Sequence, residues 1–325
     1  MKSRRALVLF AAATAAVPVG ARSSALADNY PARAVRIVVP QAPGGLVDVL
    51  PRILAQKITE ATKQPVVVEN RVGGNGATAG AEVAKAPPDG YTLMMSFHAL
   101  NAMLPHMTKL AFDPNKDLIP IVHVVTVPNI LVVNPSVPVR SVQELVAYAK
   151  ANPSRLSFAS QGVGSTGHVA GELFRQLTGA DIVHVPYRGA AQAAQDLIGG
   201  QVTMMFDVVA LAMEPVRAGK VRALGVAAPH RVPVLPDVPT MAEAGVPLEM
   251  SAWFGLLAPA GTPPAVVAWL NRQANAVFSA PDIRDRFTSQ GAQFPLGSPD
   301  AFAAHIAAEF GKWGAVIRAA NILVD

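Results

Sequence analysis

From Val35 onward the chain alternates short β-branched runs with segments of helical hydrophobic spacing, joined by glycine-containing turns. Arg36-Ile37-Val38-Val39 reads as a strand, Pro43-Gly44-Gly45 as a turn, and Leu50, Ile53, Leu54 and Ile58 as one face of a helix. Pro51 suits only the first turn of that helix, which predicts a start near Asp48. Val66-Val67-Val68 is the next strand, Gly73-Gly74-Asn75-Gly76 a loop, 77–86 a helix closed by Pro87-Pro88-Asp89-Gly90, and 91–95 a third strand. A second series begins after the long apolar stretch 119–133. Ser141 and Glu144 stand in capping-box positions for a helix running to about residue 151. Strands at 156–159, 182–185, 202–206 and 221–227 are interleaved with helices at 169–177 and 192–198. A proline-rich connection then leads through Pro239 to Trp253-Phe254-Gly255-Leu256-Leu257, a turn at Gly261-Thr262-Pro263-Pro264, and helices at 265–278 and 299–319. Continuously apolar strands separated by helices predict a parallel sheet covered on both faces. The two series share no spacing motif, so no internal repeat is evident.

The first 27 residues read as an address. Lys2, Arg4 and Arg5 form a positive start, 6–19 an apolar stretch, and Ala25-Leu26-Ala27 a small-residue cleavage signal, which predicts an export peptide cut after Ala27. That stretch is broken by Thr14 and Pro18 and is shorter than the roughly 20 residues a membrane span needs. Ser3-Arg4-Arg5 loosely fits a twin-arginine signal, and the export route stays open. Processing also changes the charge. The whole chain has 27 Lys+Arg against 22 Asp+Glu, but the segment contributes four of the basic residues and no acidic one, so the remainder is nearly neutral. Nucleic-acid binding thereby loses its main support. A hydrophobic content of 51% with 15% charged residues excludes disorder. At about 150 residues per domain, the mature chain corresponds to two lobes or one large one. The absence of cysteine excludes a disulfide scaffold, a thiolate metal site, a cysteine nucleophile and a lipidated N-terminal cysteine.

Candidate chemistry gathers at strand-to-helix turns. Gly162-Val163-Gly164-Ser165-Thr166-Gly167 satisfies G-x-G-x-x-G. A dinucleotide site wants an acidic residue at the end of the next strand, where this chain has Tyr187-Arg188; Arg188 leaves an NADP variant open. Free amides and the helix dipole at such a turn favour any anion, including a carboxylate, while the plainer reading is a tight turn capped by Ser165 or Thr166. Pro43-Gly44-Gly45, with Asp48 just beyond, is a second turn of this kind. Two lobes that face each other across such turns would clamp an anion between them. Ser165 lacks G-x-S-x-G spacing, and no orienting acid is specified for a Ser165–His168 pair, so hydrolase chemistry is not indicated. The seven histidines are scattered without a metal-binding pattern. Asp207, at the end of a buried strand, is either a loop cap or part of a cleft, and Trp253 and Phe254 read as core.

The motifs together are more specific than any one of them. Val38-Val39-Pro40 with Pro43-Gly44-Gly45 and Asp48, Pro65-Val66-Val67-Val68-Glu69-Asn70 and Arg71, and Ala84-Lys85-Ala86-Pro87-Pro88-Asp89-Gly90-Tyr91 occur in order. Ala170-Gly171-Glu172-Leu173-Phe174, His184-Val185-Pro186-Tyr187, Gly199-Gly200-Gln201, Met205-Phe206-Asp207, Leu235-Pro236-Asp237-Val238-Pro239-Thr240 and Trp253-Phe254-Gly255 follow. From about Tyr30 to the C-terminus the chain resembles the Bug receptors, the periplasmic solute-binding proteins of tripartite tricarboxylate transporters. The resemblance implies an α/β, two-lobed periplasmic-binding-protein fold of type II-like form, each lobe a mainly parallel sheet flanked by helices. Residues 28–127 and 253–325 would form lobe one and 128–252 lobe two. It further implies a small organic carboxylate held by Pro43, Gly44 and Gly45 and by a loop from Ser160 through Thr166 that includes Gly164 and Ser165. Asp207 would stand in the cleft, and Asp48, Ser96 and His98 beside it. Gln41, Phe97 and Val208 depart from the family pattern; Phe97 either favours an aromatic or longer apolar carboxylate or points into the core. The implied protein is a periplasmic, monomeric receptor without catalytic residues, metal or cofactor, whose partners are its ligand and the integral membrane permease subunits. The rival readings are an exported NADP-binding enzyme and a periplasmic receptor serving a sensor.

Overall fold

The computed structural model describes residues 29–187 and 189–323. The export segment with its cleavage after Ala27, and Arg188, lie outside the described residues. The first series is β1 (Val35–Val39), α1 (Leu46–Thr62), β2 (Val66–Asn70), α2 (Ala77–Ala84) and β3 (Thr92–Phe97), and the long strand β4 (Leu118–Val133) follows. The second series is α3 (Val142–Ala151), β5 (Leu156–Ser160), α4 (Thr166–Thr178), β6 (Ile182–Pro186), α5 (Ala190–Ile198), β7 (Met204–Val208), α6 (Val209–Arg217) and β8 (Arg222–Val226). The chain then returns through β9 (Ser251–Pro259) and ends in α7 (Pro264–Ser279), α8 (Pro281–Thr288) and α9 (Pro299–Ala320).

Within each lobe the outer strands pair in parallel, β2 with β1, β1 with β3, β6 with β5 and β5 with β7. The two crossing strands add antiparallel pairings that the apolar runs alone did not specify. β9 comes back from the second lobe and inserts between β3 and β4, antiparallel to both. β4 changes partners along its length: up to Pro128 it pairs with β9, and from Asn129 it pairs with β7 and β8. Pro128 has no N–H for a ladder, so a change of partner is a position a strand proline tolerates. The strand order is therefore β2-β1-β3-β9-β4-β7-β5-β6, with β8 on β4.

Local chemistry sets several element ends. Ser141 Oγ accepts from the Glu144 amide at 3.1 Å, and the Glu144 carboxylate accepts from the Arg140 amide, so the anticipated capping pair starts α3. α1 begins two residues earlier than Pro51 suggested. The Gly45 carbonyl accepts from the Asp48 and Val49 amides, both at 2.9 Å, and this turn fixes the start. Pro51 thus lies in the second turn and forgoes one helical hydrogen bond while burying its ring. α6 follows β7 without an intervening loop, and α8 is a single short helix; neither is long enough to show a periodicity. One face of α1 (Val47, Leu50, Leu54, Ile58) packs with Val266, Leu270 and Phe278 of α7 beneath the first sheet. On the sheet's other side α9 buries Phe302, Ile306, Trp313 and Ile317 against Met94 and Trp253, in a core continuous with Phe158, Phe174 and Phe206 of the second lobe.

Candidate functional site

A cavity of about 460 Å³ opens where the carboxyl ends of β1, β3, β5 and β7 meet. One wall comes from the first lobe: Gln41, Gly44, Gly45, Asn75, Phe97, His98, Trp253 and Phe254. The opposing wall is Gln161, Ser165, Thr166, Asp207, Val208 and Leu211. Arg286, Phe287 and Gln290, from α8 and the turn after it, line it as well.

The turn after β1 is held from behind. Asp48 is buried, and its carboxylate accepts from the Gly44 amide at 3.0 Å, from Arg52 at 2.8 Å and from Asn70 Nδ2 at 2.9 Å. Burial alone would raise its pKa; the hydrogen bonds from Arg52, Asn70 and Gly44 outweigh that and hold it below the usual carboxylate range. Asp48 therefore braces the turn and does not line the cavity. Gly44 has φ +104°, a left-handed conformation in which a side chain would be strained. The turn presents Gly44 and Gly45 to the cavity, with the Leu46 and Val47 amides at the start of α1 lacking intrahelical acceptors.

The turn after β5 is built on two stacked histidines. His168 and His184 lie with ring centroids 4.0 Å apart, and His184 stacks in turn on Phe158. His168 Nδ1 accepts from the Gly164 amide at 3.1 Å, so this nitrogen carries no proton. Burial, and then Arg175, push His168 down to about 4; burial, and then His168, do the same to His184. The buried Ser160 hydroxyl lies 2.7 Å from His184 Nε2 and accepts from the Gly162 amide. Ser165 Oγ then caps α4 by accepting from the His168 amide at 3.3 Å. Gly167 is required by close approach, since a Cβ there would meet Gln161 Oε1 and the Phe206 carbonyl at 2.7 Å. Ser165 and Thr166 are left facing the cavity at the positive end of α4.

Asp207 is 3% exposed and lines the cavity. Its Oδ1 accepts from the Val208 amide at 2.8 Å and from Gln161 Nε2 at 3.3 Å. Burial outweighs these two bonds and pushes its carboxyl up to about 7. Across the cavity, His98 Nε2 lies 3.1 Å from Glu309 Oε2, off the angle of a good hydrogen bond, while Trp313 Nε1 donates to the same oxygen at 2.8 Å. Burial would raise Glu309, but His98 and Trp313 bring it down to about 2. His98 Nδ1, Trp253 Nε1 and Gln161 Oε1 are buried without a partner, and all three residues line the cavity. Such atoms cost free energy, about 1–3 kcal/mol each.

Of the residues named from sequence, Gly44, Gly45, His98, Ser165, Thr166 and Asp207 converge on the cavity. Pro43, Asp48, Ser96, Ser160 and Gly164 do not line it. Asp48, Ser160 and Gly164 serve the turns just described, and Ser96 is fully buried, its hydroxyl donating to Asn101 Oδ1. Phe97 lines the cavity and also packs into the core. Trp253 likewise is core, 1% exposed, with one side on the cavity. Asn75 and Gln161 were within reach of sequence reasoning, because both sit in glycine-bearing loops after strands. Arg286, Phe287 and Gln290 carried no local signal. Among the described residues no group of three or more His, Asp or Glu side chains forms a metal-holding cluster, and no helix is long and apolar enough to cross a membrane.

Two α/β lobes joined by crossing strands, with a cleft at the carboxyl ends of their strands, define a periplasmic-binding-protein fold. The chain belongs to the receptor family of tripartite tricarboxylate transporters: the model of the tripartite tricarboxylate transporter family receptor matches residues 50–322. It is 38% identical to protein BugT of Bordetella pertussis over 96% of this chain and 94% of that protein. Its structure is similar to that of Rpa4515 of R. palustris with adipate, with a TM-score of 0.83 and 37% identity, covering 90% of this chain and 99% of that one. It is also similar to MatC of Rhodopseudomonas palustris with bound malate, with a TM-score of 0.80 and 35% identity over 89% of this chain and all of that one (100%). These family members and structural neighbours are solute-binding receptors.

Proposed function

We propose that this chain is a periplasmic receptor that captures a small organic carboxylate between its lobes and hands it to the permease subunits of a tripartite tricarboxylate transporter. The observation that carries the reading is the convergence of two anion-presenting turns, one from each lobe, on a cavity that is also lined by His98 and Trp253, whose Nδ1 and Nε1 are buried without a partner. The carboxylate would be received by the Gly44-Gly45 turn, by Ser165 and Thr166, and by those ring nitrogens, with Asp207 and Gln161 beside it. No group in this arrangement has to break a bond; binding and closure suffice. Relatives whose structures hold adipate and malate support a carboxylate as the ligand class. The change of partners along β4 at Pro128 and Asn129 supports lobes of 28–127 with 253–325 and of 128–252, which close as a monomer about the crossing strands. Export with cleavage after Ala27 completes the reading.

The test is a thermal-shift panel on purified protein freed of small molecules by unfolding and refolding. Mono- and dicarboxylates, amino acids and NADP are compared, a ligand at 100 times its Kd adding about 2.7 kcal/mol. Stabilisation by carboxylates alone is expected. Stabilisation by NADP alone would return the chain to the exported-enzyme reading.

A further inference from the structure

Few polar side-chain contacts join the lobes. Among the described residues, the side-chain hydrogen bonds that pass from residues 30–127 or 253–323 to residues 128–252 are Asn75 Nδ2 to the Gly164 carbonyl at 3.5 Å and Lys312 Nζ to the Glu249 carbonyl at 3.2 Å. No ion pair among those residues makes that passage. Glu249 stands just before β9, where Ser251 pairs with Pro128 at the change of partners along β4, so the Lys312 bond lies beside the crossing strands. Asn75 instead lines the cavity, and Gly164 belongs to the turn between β5 and α4.

Both ends of the Asn75 bond are held by their own lobe. Asn75 sits at φ 49°, ψ 42°, a left-handed conformation that asparagine tolerates better than most side chains. The next residue, Gly76, lies so close to β3 that a Cβ there would meet Phe97 Cε1 at 2.9 Å. Across the cleft, the Ser165 amide donates to the Gly162 carbonyl at 3.2 Å and the Gly164 amide to His168 Nδ1 at 3.1 Å. In a trans peptide the carbonyl opposes the N–H, so the Gly164 carbonyl is turned away from the Gly162 carbonyl and out of its own turn. At 3.5 Å its bond to Asn75 is longer than the usual ~2.9–3.0 Å, and a slight further approach of the lobes brings it to full strength.

We propose that Asn75 is the latch of the closed cleft: its amide clasps the Gly164 carbonyl of the opposite lobe and slows release of the captured solute without recognising it. This rests on the receptor reading given above and adds to it the residue that holds closure. A neutral hydrogen bond of this kind favours the closed form about three- to tenfold.

The chain has no cysteine, so spin labels on K57C in α1 and Q176C in α4, both exposed positions, report the separation of the lobes. Double electron–electron resonance on the ligand-free labelled protein, and on its N75G and N75D variants, is expected to show the ratio of short to long separations falling about three- to tenfold in both variants. Glycine suits the left-handed conformation and lacks the amide; aspartate keeps the size and the conformation but turns only oxygens to the carbonyl. Circular dichroism of both variants is expected to match that of the native protein. Stopped-flow release of malate and of adipate is expected to quicken by that same factor for both acids, with association unchanged. Superimposable distance distributions overturn the latch, and so does a loss confined to one acid, which would make Asn75 a solute contact. If the native protein binds neither acid, the receptor reading fails, and the distance distributions decide the latch by themselves.

Discussion

Asp207→Asn is the most informative single change, because it removes a group whose ionised form the fold disfavours. Burial displaces the Asp207 carboxyl from 3.8 to about 7, against only two hydrogen bonds and with no cation among its causes. A folded pKa above the unfolded one means that the neutral acid is the form the fold prefers. Its contribution is fully present below pH 3.8 and is lost progressively as pH rises through about 7, beyond which the loss is constant. At about 1.36 kcal/mol per pH unit, the interval amounts to roughly 4 kcal/mol. Asparagine retains an acceptor for the Val208 amide and carries no charge. D207N is therefore expected to melt on the order of 5–10 °C above the native protein at pH 8 and to match it at pH 4. Scanning calorimetry of both proteins from pH 4 to pH 9 provides the assay. A melting difference independent of pH, or none at pH 8, would refute a buried, unpaired Asp207. Binding should follow the same titration: below about pH 7 the neutral acid can donate to an incoming carboxylate, and above it two anions meet. Carboxylate affinity is expected to fall above pH 7 in the native protein and to stay level in D207N.

Three further outcomes follow from the same structure. T166A is expected to lose carboxylate affinity with little change in stability, whereas S165A loses both, the missing cap costing about 1 kcal/mol; titration and urea unfolding separate them, and full affinity in both variants would remove the α4 turn from the site. G171A places a Cβ against the buried ring of Phe158 and should destabilise by about 1–3 kcal/mol in urea unfolding, a neutral result contradicting this packing of α4 on β5. His168 and His184, both held near 4, are folded as neutral rings, so the stability they allow is complete above pH 6.5 and declines as pH falls toward 4. Measured in D207N, where the opposing titration is absent, the urea midpoint should drop across that window; a level midpoint would contradict their burial.

The strand–turn–helix rhythm was legible in the sequence because each unit is encoded locally. Ser141 with Glu144, the glycines of the two turns and the Ser165 cap each act within a few residues, and each lies where its spacing suggested. What the sequence concealed depends on long-range partners. Residues 118–133 read only as apolar, since nothing local reveals that one strand serves two sheets or that β9 returns antiparallel. The site shows the same division. The turns that present amides could be read, but Asp48 and Ser160 are of the residue types a ligand would want and are already taken by Arg52, Asn70 and His184. Conversely, Arg286 and Gln290 belong to a short terminal segment whose pattern gives no sign that it closes the cavity.

The central claim is that the cleft recognises a carboxylate by amides, hydroxyls and ring nitrogens drawn from both lobes. Titration of the stripped protein with suberate and with its neutral diamide tests it most directly. The account predicts that the diacid binds, that the diamide does not, and that the S165A/T166A double variant loses the diacid. Equal binding of acid and amide, or undiminished binding by the double variant, would contradict it.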